Sequence, residues 1–156
     1  MSFRVGIGVD AHAFSDGVPL VLGGVEFESP RGLAGHSDGD VITHALIDAL
    51  LGAAGLGDIG SLFPSDGSTP EGISSLDLLR DSVERVAGGY EVVNAHCVLI
   101  GEQPRISARR GELERTLTDI VGAPVSVRAT TTDRLGFTGR GEGLAAQAVA
   151  LLRRRD

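Results

Sequence analysis

Arg4-Val5-Gly6-Ile7-Gly8-Val9-Asp10-Ala11-His12 is the stretch on which the fold turns. Side chains alternate along a strand, so Val5, Ile7 and Val9 share one face and Gly6 and Gly8 the other. The two glycines leave their face open to the close approach of another element. If the strand continues through His12, Asp10 and His12 point to one side and can reach a single ion together.

The next polar run, Gly35-His36-Ser37-Asp38-Gly39-Asp40-Val41-Ile42-Thr43-His44, opens a helix predicted over residues 37–54. Ser37 and Asp40 form a capping box, and Val41, Ile42, Ala45, Leu46, Ala49 and Leu50 supply the apolar face. Asp40, His44 and Asp48 are spaced by four and line one stripe, so either carboxylate is placed to orient the His44 ring. Asp10, His12 and His44 together give one Asp and two His. That donor set leaves a fourth tetrahedral position open, the pattern of a catalytic zinc site. Spacing alone does not separate this from a helical histidine with a satisfied hydrogen bond.

Residues 20–27 read as a β-hairpin around Gly23-Gly24. Residues 55–72, rich in Gly, Pro, Ser and Asp, predict a long surface loop, of the functional or the mobile kind. A second helix is expected over 74–87 with Leu76, Leu79, Val83 and Val86 inward, and a strand over 90–100. A third helix starts near Pro104, carries Leu113, Leu117 and Ile120, and stops at Gly122. Residues 124–132 read as a strand. Residues 143–155 read as a terminal helix whose closing Arg153, Arg154 and Arg155 suit the negative end of its dipole. No repeat or linker divides residues 1–156, so one domain of the α/β or α+β sandwich type is expected.

The chain has 156 residues, 42% of them hydrophobic and 22% charged, which suits a single globular core. Its formal net charge is −7, every fixed cation is an arginine, and there is one Tyr and no Trp. That balance lacks the basic, stacking surface of a nucleic-acid binder, so no nucleic-acid partner is expected. Without lysine there is no Schiff-base chemistry. No apolar run reaches membrane-span length and no signal-peptide pattern opens the chain, so a cytoplasmic location and no membrane partner are expected. The single Cys97 sits in an apolar strand and reads as a buried structural thiol.

Two further segments suit anionic ligands. Ala129-Thr130-Thr131-Thr132-Asp133 ends a strand and leads into Gly136-Phe137-Thr138-Gly139-Arg140-Gly141-Glu142-Gly143. Glycine turns the backbone N–H groups toward an anion, the threonines add hydroxyl donors, and Arg140 offers a bidentate contact. A plain Gly-rich connection fits the spacing equally well. Neither a dinucleotide fingerprint nor a P-loop is present. Gly101-Glu102-Gln103-Pro104-Arg105-Ile106-Ser107 joins a strand to a helix and can present its backbone to a planar base, although on sequence alone a plain strand–helix connection fits it better. In Gly57-Asp58-Ile59-Gly60, Asp58 suits sugar hydroxyls or an Asx-turn.

Taken in order, these motifs resemble the 2-C-methyl-D-erythritol 2,4-cyclodiphosphate synthase family over nearly the whole chain. The resemblance rests on Gly6 to His12, on Gly35 to His44 continuing through Asp48 to Ala54, on Gly57 to Gly60, and on Ala129 to Thr132 with Leu135 to Gly143. It implies an α+β sandwich with a mixed four-stranded sheet, helices on one face and a small hairpin, in a chorismate-mutase-like trimer. It implies a cyclising phosphorus–oxygen lyase of non-mevalonate isoprenoid synthesis. Such an enzyme closes the 2-phosphate of 4-diphosphocytidyl-2-C-methyl-D-erythritol 2-phosphate onto the β-phosphorus and releases CMP. Asp10, His12 and His44 would hold one Zn2+ per subunit. A second divalent ion, Mg2+ or Mn2+, would bridge the diphosphate, with Asp133 as its candidate ligand.

By the same resemblance His36 and Thr131 stabilise the transition state, with Ser37 also at the substrate. Asp58, Ile59 and Gly60, and Phe63, Pro64, Ser65, Asp66 and Gly67, line the methylerythritol side. Gly101, Pro104, Arg105, Ile106 and Ser107, with Thr130, Thr131, Thr132 and Asp133, hold cytidine and its phosphates. Phe137 and Arg140 lie near a central cavity for an isoprenoid phosphate, and sites form between the subunits of a homotrimer. Three departures stand out: Phe63-Pro64-Ser65-Asp66-Gly67 replaces Phe-Pro-Asp-Thr-Asp, Pro104-Arg105 replaces Pro-Lys, and Asp133 replaces Glu. The competing readings are a metal-dependent phosphoester hydrolase and a non-catalytic trimer that binds a nucleotide or isoprenoid phosphate.

Overall fold

The structure is a computed structural model that describes residues 2–156. Strand β1 runs over Phe3–Asp16, well beyond His12. A hairpin of β2 (Leu20–Leu22) and β3 (Val25–Phe27) follows, then the short β4 (Arg31–Leu33). Helix α1 spans Val41–Ala54, the short α2 Ile59–Leu62, and α3 Ser75–Ala87. Then come β5 (Tyr90–Ile100), α4 (Arg110–Val121) after a 3-10 turn, β6 (Val125–Thr130), the short α5 (Gly136–Gly139) and β7 (Gly143–Arg154).

The main sheet is mixed, in the order β4-β1-β7-β5-β6, with only β5 and β6 parallel. It has five strands where four were expected. The extra one is β4, whose three residues pair with Phe14, Ser15 and Asp16 and are too few to show periodicity. The hairpin forms as read, its Gly23-Gly24 turn at φ 59° and 75°, the positive-φ geometry that a two-residue hairpin demands.

The segment 143–155, read as a helix, is a central strand instead. Its alanines favour a helix locally, but β7 pairs with β1 on one side and β5 on the other along nearly its whole length. Leu144, Ala146, Ala148, Ala150 and Leu152 are buried at a period of two. Here small size is what counts: the alanines let α1 lie close over the sheet, and tertiary packing overrides helix propensity. The arginines lie at the end of this strand, with Arg153 paired to Glu91 of the adjacent β5 at 2.6 Å.

The first strand explains the layering. A Cβ at Gly6 would run into the Ala49 carbonyl and one at Gly8 into the Ala45 carbonyl. Only glycine permits α1 to sit this near β1. Helices α1, α3 and α4 cover one face of the sheet. On the other face Val5 and Ile7 stay 69% and 67% exposed, with Phe3, Val9 and Val149 beside them.

Helix α1 begins at Val41 rather than Ser37. Its cap is Asp40, whose buried carboxylate accepts from Thr43 N–H at 3.1 Å and the Thr43 hydroxyl at 2.7 Å. The same group accepts from Gly23 N–H at 2.9 Å and Gly24 N–H at 2.7 Å. The hairpin turn thus outcompetes Ser37 for this role: four donors converge on one carboxylate and tie the hairpin to the helix start. Inside the expected loop, α2 is held by an Asp58–Ser61 capping box, and Asp48 accepts from Ile59 N–H at 2.7 Å. Cys97 is fully buried, and burial pushes its thiol up to about 12.

Candidate active site

The glycine contacts set the register of β1 on α1. Gly6 lies over Ala49 and Gly8 over Ala45, so two residues further along the strand Asp10 comes beside the first turn of α1, Val41 to His44, and His44 reaches it from there. His12 Nε2 lies 2.8 Å from Asp10 Oδ2, His44 Nδ1 3.2 Å from the same oxygen, and the two ring nitrogens 3.3 Å apart. Asp10, His12 and His44 form the metal-type cluster found among the described residues.

His12 donates from Nδ1 to the Ala34 carbonyl at 2.7 Å. A carbonyl only accepts, so the neutral ring bears its lone pair on Nε2, facing Asp10. Two electron pairs aimed at each other across 2.8 Å need a proton or a cation between them. The donor set therefore fits a divalent cation. Burial raises the Asp10 pKa, but the bonds from His12 and His44 outweigh it and hold the carboxyl down at about 2. The bond to Asp10 pushes His12 up.

Neither carboxylate on the helical stripe orients His44. Asp40 caps α1 and Asp48 holds α2. The His44 Nε2 instead meets Ser75 Oγ at 2.8 Å and Ser37 Oγ at 3.0 Å. Local spacing gives no sign of Ser75, since it belongs to α3, 31 residues away in sequence.

A cavity of about 190 Å3 opens onto the cluster, and His36, Ser37, Ile59, Gly60, Phe63 and Ser65 join its walls. His36 donates from Nε2 to the Thr69 carbonyl at 2.7 Å. Asp58, Pro64, Asp66 and Gly67 are not part of that wall. Asp58 caps α2, and exposed Asp66 accepts from Ser68 N–H at 2.8 Å.

A second, open cavity of about 560 Å3 gathers residues 101–107 with Ala129, Thr130 and Thr131. Arg110 and Arg134, missed at the sequence level, add cations to it. Its two sides are joined where Arg134 N–H donates to Glu102 at 2.9 Å. Thr132 is turned to Thr138 at 2.9 Å, and Asp133 pairs with the Thr131 hydroxyl at 3.3 Å in a left-handed turn, φ 51°. Phe137 is exposed and Arg140 pairs with Glu142 at 2.8 Å, both outside the two cavities.

The cavities lie at the same end and on the same face of the sheet. Asp10 is opposite Ala146, Ala146 opposite Leu99, and Leu99 opposite Ala129. Three strand spacings separate Asp10 from Ala129, about 14 Å. His36 and Thr131 therefore belong to different cavities of one subunit.

A metal-type cluster beside one cavity, and a cation-lined cavity along the sheet, define an enzyme site for a small anionic molecule. The sequence model of the YgbB family matches residues 3–153, and the chain belongs to that family. It is 55% identical over 158 residues to the 2-C-methyl-D-erythritol 2,4-cyclodiphosphate synthase of Rubrobacter xylanophilus, covering 97% of this chain and 96% of that one. The solved bifunctional IspDF of Campylobacter jejuni matches with a TM-score of 0.94 and 36% identity, over 99% of this chain and 43% of that longer one. A CDP-bound 2C-methyl-D-erythritol-2,4-cyclodiphosphate synthase matches with a TM-score of 0.86 and 37% identity, over 96% of this chain and all of that one.

Proposed function

We propose that the chain converts 4-diphosphocytidyl-2-C-methyl-D-erythritol 2-phosphate to 2-C-methyl-D-erythritol 2,4-cyclodiphosphate and CMP, in the non-mevalonate route to isoprenoid precursors. The observation that carries this is the Asp10, His12 and His44 cluster in a fold that matches synthases of that name. An oxygen of the 2-phosphate attacks the β-phosphorus, the bond from that phosphorus to the bridging oxygen breaks, and CMP leaves with the bridging oxygen. The attacking phosphate is already ionised near neutral pH, so no general base is obligatory. The obstacle is repulsion between anions, and cations with aligned donors remove it.

Asp10, His12 and His44 would hold one zinc per subunit, and that ion would supply Lewis-acid polarisation of a phosphate oxygen. Asp133 would contribute to holding a second ion, magnesium or manganese, whose charge would offset that of the diphosphate. His36 and Thr131 stabilise charge in the transition state. Ser37 is also at the substrate, and residues 58–60 and 63–67 line the methylerythritol side. Gly101, Pro104, Arg105, Ile106 and Ser107, with Thr130 and Thr132, hold cytidine and its phosphates.

The exposed apolar face of Phe3, Val5, Ile7, Val9 and Val149 supports assembly as a homotrimer of the chorismate-mutase-like kind. Sites then form between subunits, where one copy's metal cavity meets its neighbour's nucleotide cavity. The same assembly places Phe137 and Arg140 at a central cavity for an isoprenoid phosphate. No helix among the described residues is long and apolar enough to cross a membrane, which agrees with a cytoplasmic enzyme. A non-catalytic binder is not favoured, because the curated relatives are synthases.

Phosphorus NMR of the zinc-loaded protein with substrate tests the reading. The expected outcome is one cyclic diphosphate and stoichiometric CMP. Linear hydrolysed products, or no CMP at full zinc occupancy, would overturn it.

A further inference from the structure

A cation held by three side chains needs a lone pair from each. The Ala34 carbonyl secures this at His12. His44 has no such carbonyl. Its Nε2 meets two hydroxyls, Ser75 at 2.8 Å and Ser37 at 3.0 Å, and a hydroxyl can donate or accept. The next contact outward resolves this. The Ser75 hydroxyl donates to Asp38 Oδ1, and Ser75 N–H donates to Asp38 Oδ2 at 2.9 Å. An ionised carboxylate only accepts, so the serine proton points at Asp38 and the serine lone pair at His44. Nε2 must then carry the ring proton, which leaves the Nδ1 lone pair facing Asp10 and His12.

We propose that Asp38 and Ser75 are positioning residues that set the tautomer of His44 and thereby create the third metal donor. The proposal rests on the reading that the cluster holds a divalent cation. Ser75 is fully buried, so solvent has no access to replace it as the partner of Nε2. The relay also has a rigid mount. Asp38 N–H donates to the Ile73 carbonyl at 3.3 Å and Gly72 N–H to the His36 carbonyl at 2.7 Å. The segment bearing His36, Ser37 and Asp38 is thus zipped onto the residues leading into α3. Substitution of Asp38 by Asn makes the sharpest probe. Its carbonyl still accepts from Ser75 N–H, but its NH2 donates to Ser75 Oγ and turns the serine proton toward His44. The tautomer then reverses, and the proton sits on the nitrogen that should bind metal.

The experiment uses the full chain stripped of metal. Imidazole 15N–1H spectra, at a pH where the rings are neutral, report which His44 nitrogen is protonated. Competition against a chromophoric chelator reports zinc affinity. In the wild type the proton is expected on Nε2. Ser75→Ala should weaken zinc roughly 10- to 100-fold. Asp38→Asn should weaken it at least as much and move the His44 proton to Nδ1, with unchanged circular dichroism. A wild-type proton on Nδ1, or equal zinc affinity in the wild type and a folded Asp38→Asn, overturns the relay. A wild type that binds no zinc instead overturns the metal reading, while the tautomer spectra still test the relay. If Ser75→Ala fails to fold, the wild type and Asp38→Asn are enough to uphold or overturn the relay.

Discussion

The two cavities are built on opposite terms. At the metal cavity each histidine is braced from behind inside the subunit: His12 by Ala34, His44 by Ser75, His36 by Thr69. Along the sheet, Arg105, Thr130, Thr131 and Arg134 stand exposed in a cavity about three times as large. A small cation tolerates errors of only tenths of an ångström, so its donors are fixed before it arrives. The base and phosphates proposed for the larger cavity would cover more surface, and its exposed groups would close on them on binding or on docking of the proposed neighbouring subunit.

Removing a donor should break the contrast hardest. Asp10→Asn keeps the shape of the side chain but loses the charge between two imidazoles. Zinc content by elemental analysis should fall to background, and turnover should drop on the order of a thousandfold, equivalent to about 4 kcal/mol. Ile7→Asp places a charge in the middle of the exposed apolar face without touching either cavity. Sedimentation should show a monomer that still binds zinc near wild-type strength yet turns over poorly. A monomer at full activity would count against sites shared between subunits.

Arg105→Ala should sharpen the contrast with a smaller change. Calorimetry should show CDP bound about tenfold more weakly, the loss of one charge-assisted contact, with zinc affinity unchanged. The smallest effect concerns Cys97. Its folded pKa is raised from 9.0 to about 12 by burial, so the folded state holds the proton more tightly than the unfolded one. Its contribution to stability is complete below pH 9 and is lost as pH climbs from about 9 toward 12. A thiol reagent at neutral pH should find no thiol in the native protein and one after unfolding.

Much of this is legible in the sequence where local chemistry decides. The Gly6 and Gly8 alternation and the Gly23-Gly24 hairpin follow from period and residue type. Strand period pairs Asp10 with His12, whereas spacing alone leaves His44 between a ligand and an ordinary helical histidine, and the resemblance to the family is what joins it to the cluster. The terminal strand reads as a helix because Ala146, Ala148 and Ala150 suit a helix locally and a tightly covered sheet globally. The start of α1 is misplaced by local pattern because the Asp40 partners, Gly23 and Gly24, come from a hairpin sixteen and seventeen residues upstream. The support of His44 is invisible for the same reason: Ser75 and Asp38 meet only once α3 docks on α1.

The most direct test of the central claim is complementation. Asp10→Asn lacks a working metal cavity and Thr131→Ala lacks a working nucleotide cavity, so each alone should be nearly inactive. When the two are unfolded together and reassembled, random mixing should restore intact junctions at roughly a quarter of positions, with activity to match. Mixed trimers that form but stay as inactive as their parents would contradict a site divided between subunits.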